Sequence, residues 1–179
     1  MKKTLLMVLA AAALVALAVP ASAAGDVKYG LGYFRADAPV GGRAWITEDV
    51  AIDFGVGFSN QEMNGGGKTE KKTSFSLDAG VPYVLVGDET TKFFVRPGFM
   101  FESTPAWDSA DNKWVSATEL GVSGTLGVEH WFGKRFSLGA GHGIVFKSMD
   151  PGVKGSESTT AIMTEALSIS NIGFHFYFN

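Results

Sequence analysis

The sequence predicts an all-β protein: an eight-stranded antiparallel up-and-down transmembrane β-barrel, preceded by a cleaved signal peptide. Three observations lead there. Beyond residue 25 hydrophobicity alternates with period two nearly throughout, which marks strands with two unlike faces. One of those faces is bulky and almost free of charge, while the other is small, polar or charged, as expected of a lipid-facing exterior around a polar lumen. The links between strands also alternate between short and long, the asymmetry of outer-membrane barrels.

The leader comes first. Met1-Lys2-Lys3, an apolar stretch from Leu5 to Val19 and Ala21-Ser22-Ala23 form a basic, an apolar and a small-residue cleavage region. That pattern reads as a secretory signal peptide over 1–24. The apolar run is short for a spanning helix, which needs about 20 residues. Cleavage after Ala23 and cleavage after Ala24 fit equally well. The remainder, 25–179, is a single domain.

Eight strands are expected, over 26–35, 40–47, 50–59, 73–85, 92–102, 116–131, 136–147 and 162–178. In the third, Val50, Ile52, Phe54, Val56 and Phe58 share one face, and Ala51, Asp53, Gly55 and Gly57 the other. In the fourth, Phe75, Leu77, Ala79, Val81 and Tyr83 oppose Ser74, Ser76, Asp78 and Gly80. In the sixth, Leu120, Val122, Leu126 and Val128 oppose Glu119, Gly121, Ser123, Thr125, Gly127 and Glu129. A soluble sandwich or lipocalin-type barrel would turn its bulky face inward and carry charge outside. Here the small polar face suits a crowded interior. In the seventh strand parity aims His142 outward with Leu138, Ala140 and Ile144, unless a bulge shifts the register.

Short links are expected at Glu48-Asp49, 86–91 and 133–135, and long polar loops at 60–72, 102–116 and 147–161, with Gly65-Gly66-Gly67 and Pro151-Gly152 at loop tips. The first long-side loop, around Ala36–Pro39, is the short exception. Tyr83, Phe93, Trp131, Phe132, Phe136 and Phe178 fall near the short turns, and Tyr33, Phe58, Phe75, Phe101 and Trp114 near the long loops. Two interfacial belts of aromatic rings follow from that distribution.

Composition excludes some functions. Removing the leader takes two lysines and no acid, so the formal charge of −3 becomes about −5. A mildly acidic domain without a basic cluster carries no footprint for nucleic acid. Cysteine is absent, which a self-closing barrel tolerates.

Several short motifs fail on context. Gly67-Lys68-Thr69 ends like a phosphate-binding loop, but Glu62 stands where its first glycine belongs. Gly30-x-Gly32 and Gly139-x-Gly141 lack a third glycine and a following helix, and Gly121-Val122-Ser123-Gly124 is one residue short of a nucleophile elbow. His130, His142 and His175 lie on three strands without metal-ligand spacing. No catalytic, cofactor or metal site is expected. Parity does place Lys28, Arg43 and Arg96 in the lumen with Asp53, Asp78, Glu119, Glu129 and Glu165. Side chains fill so narrow a barrel and buried charges must pair, so a structural ion-pair network is expected.

The C-terminus carries the sharpest motif. Asn171-Ile172-Gly173-Phe174-His175-Phe176-Tyr177-Phe178 follows polar-x-Gly-x-x-apolar-x-apolar, with Asn171, Gly173, Phe176 and Phe178 at the key positions. It resembles the β-signal by which outer-membrane barrels are recognised for assembly, with Asn179 as an extra residue at the end. Together with Tyr29-Gly30-Leu31-Gly32-Tyr33-Phe34 and Phe94-Val95-Arg96-Pro97-Gly98-Phe99, the chain over 25–179 resembles the outer-membrane protein β-barrel domain family, the small OmpA- and OmpX-like "porin family" barrels. That resemblance implies outer-membrane lipid and the barrel-assembly machinery as partners, periplasmic termini and a monomeric state. The function expected is a non-enzymatic outer-membrane scaffold whose polar loops face outside, for envelope integrity or adhesion to a loop ligand left unnamed. A narrow solute channel and a lipid-modifying barrel enzyme are the alternatives.

Overall fold

A computed structural model describes residues 28–164 and 172–178. The chain runs β1 (Lys28–Tyr33), β2 (Val40–Trp45), β3 (Ala51–Gly65), β4 (Lys68–Gly80), β5 (Tyr83–Gly87), β6 (Thr91–Asp108), β7 (Lys113–Trp131), β8 (Phe136–Asp150), β9 (Thr159–Thr164) and β10 (Ile172–Phe178). Every pairing is antiparallel, and β10 bonds to both β1 and β8, which closes the sheet. These ten segments make eight staves. β4 and β5 are one stave, bent at Val81-Pro82 where proline removes a ladder donor, and both pair with β6. β9 and β10 are likewise two parts of the last stave, both paired with β8.

The register fixes the shape. Paired residues followed once around, from Leu138 through Phe174, Tyr33, Val40, Val56, Leu77, Phe101 and Leu120, arrive back on β8 at Ser148. That ten-residue displacement, Leu138 to Ser148, is the stagger of the barrel. For eight strands such a stagger goes with a tilt of about 35–45° and an interior that side chains fill.

The faces follow the expected alternation. Phe54, Phe58, Leu126 and Ile144 are 50–79% exposed, while Asp53, Asp78 and Glu129 are at most 3% exposed. His142 is exposed opposite Leu126, and the β7–β8 register passes through it unbroken. No bulge turns it inward.

Three expectations change. The loops expected at 60–72 and 102–116 are largely strand: β3 and β4 pair out to Gly65↔Lys68, and β6 and β7 out to Asp108↔Lys113. Pairs such as Gln61↔Lys72 and Glu62↔Lys71 are polar on both faces, because both faces of a projecting ribbon meet water, and that erases the period-two signal. The tips turn at Gly66 and Gly67, whose φ of 57° and 76° favour glycine. Trp131, expected in an aromatic belt, is 8% exposed and packs inside with Trp45, Ala51 and Tyr177. Of the single strand expected over 162–178, the described parts, Thr159–Thr164 and Ile172–Phe178, are strand and pair with β8; the residues between lie outside the described ones. The loop at 36–39 is short, as expected, but it folds into the barrel.

Candidate functional site

The lumen is filled in three layers. At the short-turn end Trp45 and Trp131 meet Tyr177, whose hydroxyl accepts from Trp45 Nε1 at 3.1 Å. The Trp131 and Tyr177 ring centroids are 4.2 Å apart. Parity sets this layer: Tyr177 lies on the inward face of β10 with His175 and Gly173, opposite Phe174, Phe176 and Phe178.

The middle layer is ionic. Arg43 donates to Asp53 Oδ2 (2.7 Å) and to Glu129 Oε2 (2.8 Å). Arg96 donates to Asp53 Oδ1 (2.8 Å) and to Asp78 Oδ1 (2.5 Å). Arg35 reaches Asp78 Oδ2 at 2.7 Å. Glu129 further accepts from Ser137 (2.5 Å) and from Tyr177 (3.0 Å). Three guanidinium groups thus face three carboxylates, and each carboxylate is held by hydrogen bonds as well as by charge. Burying ions is costly unless they are so paired, and planar guanidinium forks suit bridging two acids at once.

The third layer is the loop between β1 and β2. It closes on itself through Phe34 N–H to Pro39 O (3.1 Å) and Ala38 N–H to Arg35 O (3.2 Å). The Phe34 ring lies over the Arg96 guanidinium at 5.1 Å, and Ala38 is 1% exposed. The Ser76 hydroxyl donates to the Asp37 carbonyl. Room for this loop comes from glycine: a Cβ on Gly173 would sit 2.7 Å from the Phe34 carbonyl oxygen. A cavity of about 70 Å³ lies between Phe34, Arg43, Phe94, Arg96 and His175.

The geometry brings Arg43, Asp53, Asp78, Arg96 and Glu129 into one network, and leaves two expected members outside it. Lys28 is exposed at the barrel mouth, its ammonium 5.7 Å from the Trp131 ring, because β1 begins there, away from the carboxylates. Glu119 pairs with Lys147 at 2.8 Å, towards the opposite end. Glu165 and Asn171 lie outside the described residues. Of the terminal motif, Gly173 faces the inserted loop, while Phe176 and Phe178 point outward, 50% and 57% exposed.

Sequence reasoning missed Arg35, Phe34, Ser137 and Tyr177. Tyr177, Ser137 and Phe34 were open to parity, Phe34 sharing the face of Lys28 in the strand expected over 26–35; Arg35 has the outward parity there and turns inward because β1 ends at Tyr33. Among the described residues no cluster of His, Asp or Glu has the arrangement of a metal site.

On the long-loop side Asp108 acts as a local knot. Its carboxylate accepts from the backbone N–H of Ala110 (2.9 Å), Asp111 (3.2 Å) and, across to the next loop, Lys154 (3.1 Å). The Lys154 N–H is the main cause that holds this carboxyl below the usual range. On the other side Asp88 accepts from the hydroxyl and N–H of Thr90 and the N–H of Thr91, which hold it low in the same way and pin the turn.

No protein-family model and no curated protein matches the chain. Among solved structures it is similar to a major outer membrane protein from Thermus thermophilus. That likeness has 14% identity and a TM-score of 0.38, and covers 85% of this chain and 97% of that one. So distant a likeness carries no functional argument; the closed, inverted-polarity barrel rests on this chain's own register and burial.

Proposed function

We propose that this chain is a non-enzymatic outer-membrane β-barrel of the small OmpA- and OmpX-like kind, exported by its leader and displaying its two projecting ribbons outside the cell. The observation that carries the reading is the inverted polarity of a closed barrel. An apolar girdle including Phe54, Phe58, Leu126 and Ile144 faces out, around a buried Arg–Asp–Glu network. In water that girdle would be a large exposed apolar surface; in a bilayer it is the expected contact. Both described chain ends lie at the short-turn side, which suits periplasmic termini. Phe176 and Phe178 remain the candidates for recognition by the assembly machinery.

The filled lumen favours a scaffold over a solute channel. Aromatic, ionic and loop layers stand in series, and the cavity left between them suits water rather than solutes. Two measurements test the reading. The purified protein should fold only with lipid or detergent, giving a heat-dependent gel shift, and should show no steady conductance in planar bilayers. A protein that folds in plain buffer refutes the membrane assignment, and regular single-channel steps refute the scaffold.

A further inference from the structure

His142 is out of place on the outer wall. β8 presents Leu138, Ala140, Ile144 and Phe146 on the same face, and Leu126 and Val128 stand beside them on β7. All six are apolar, so His142 carries the one polar group of the patch. It is exposed, its register is regular, and it has no hydrogen-bond partner among the described residues. Phe136 at the short-turn end and Ser148 towards the ribbons are each six residues away along β8, a rise of about 15 Å for a tilted strand. An imidazole at that depth reaches neither headgroups nor water. Polar groups inside a bilayer are costly, and they pair or mark a functional contact.

Beside it the wall is dented. An added Cβ on Gly124 would meet nothing within 4 Å, although Val122 and Leu126 on either side project outward, 53% and 65% exposed. The register sets the depth of the dent. His142 pairs with Leu126, and Gly124 lies two residues closer to the ribbons along β7. The ten-residue stagger, spread over eight staves, raises β8 above β7 by a little more than one residue in the same direction. Gly124 and His142 thus stand side by side, within one residue of the same depth.

We propose that this face joins two copies of the barrel in the bilayer, with His142 of each seated in the Gly124 dent of the other. Both copies insert the same way up, so the two-fold axis relating them runs along the membrane normal and keeps every residue at its own depth. A self-complementary contact of that kind needs its knob and its socket at one depth, as His142 and Gly124 are. Because Gly124 has no side chain, the imidazole N–H of one copy approaches the backbone carbonyl oxygens of β7 in the other, which keep a lone pair beyond the ladder bond. Lipid tails also fill a dent, but they bring no acceptor for the imidazole. The resemblance drawn from the sequence implies a monomer; a polar knob beside an empty socket argues for a pair.

This pairing rests on the membrane reading above, and the test keeps the two apart. The whole barrel is refolded in detergent, its gel shift is confirmed, and association is measured by sedimentation equilibrium in density-matched micelles. The wild type is expected to dimerise. His142→Leu suits lipid better and Gly124→Leu fills the socket, so both should fold, and each should weaken association about tenfold, the effect of about 1.4 kcal/mol. Phe54→Leu, on β3 across the barrel, should leave association unchanged. The chain has no cysteine, so the contact can also be read directly. His142→Cys copies mixed with Gly124→Cys copies keep one native contact, and under copper phenanthroline they should form a disulfide faster than either variant alone. Association untouched by both leucine substitutions, or cross-linking no faster in the mixture, overturns the proposal. A wild type that needs lipid or detergent to fold yet stays monomeric overturns the pairing alone, whereas one that folds in plain buffer overturns the membrane reading and the pairing with it.

Discussion

Arg96 shows how much one side chain holds in this barrel. Its guanidinium joins Asp53 to Asp78 and carries the Phe34 ring of the inserted loop. Its surroundings are cut to fit, since a Cβ on Gly80 would fall 2.6 Å from Arg96 Nε. Replacing it with Met should leave two buried carboxylates short of a partner, a change of about 3–5 kcal/mol. Urea unfolding in lipid vesicles measures this, with Lys68→Met at the exposed ribbon tip as reference. Equal midpoints for the two variants would place Arg96 outside any energetic network. Period-two parity made Arg43, Asp53, Asp78, Arg96 and Glu129 legible as neighbours in one lumen. It left Lys28 and Glu119 indistinguishable from them, because parity gives the face of a residue and not its height along the barrel.

At the scale of elements, the ribbons and the girdle obey different physics. The ribbons stand in water on both faces, so their stability rests on turns and knots such as Asp108. That carboxyl is held low when folded, so its contribution is complete above the unfolded value of about 3.9 and is lost as pH falls through the lower folded value. The amide of Lys154 should lose hydrogen-exchange protection over that acid window, and in Asp108→Ala it should be unprotected already at neutral pH. Protection unchanged in both cases would show that Asp108 does not tie the loops together. The girdle is read instead at Phe54, 50% exposed between Gly42 and Ala79. Phe54→Arg should cost about 2–4 kcal/mol if it sits near the midplane, whereas Phe54→Leu should refold almost as wild type. Refolding yields into vesicles decide it: an Arg tolerated like Leu means that no lipid meets this face. Sequence marked the girdle well because one wet and one oily face force alternation. The outer halves of β3, β4, β6 and β7 it read as loop, because equal wetness on both faces leaves nothing to alternate.

For the molecule as a whole, strand count and closure were legible from the number of alternating segments and the long–short links. The stagger was not, since it depends on which residue faces which across eight pairings, and one slip would move a whole face. The filling of the lumen was half legible. Charges on the inward parity announced an ionic layer, while nothing in the pattern of Ala36 to Pro39 distinguished a loop that turns in from one that turns out.

That inward turn ties the order of events to the topology. The loop belongs to the β1–β2 hairpin, and the seam that shuts the cylinder joins β1 to β10. A sheet of β3 to β8 that still lacks this hairpin has neither its final wall nor its stopper, so Asp78 and Arg96 stay hydrated along an open trough. When the hairpin docks, the wall completes while Phe34 moves over Arg96 and Arg35 onto Asp78. One hairpin therefore supplies both the seam that closes the cylinder and the loop that covers Asp78 and Arg96.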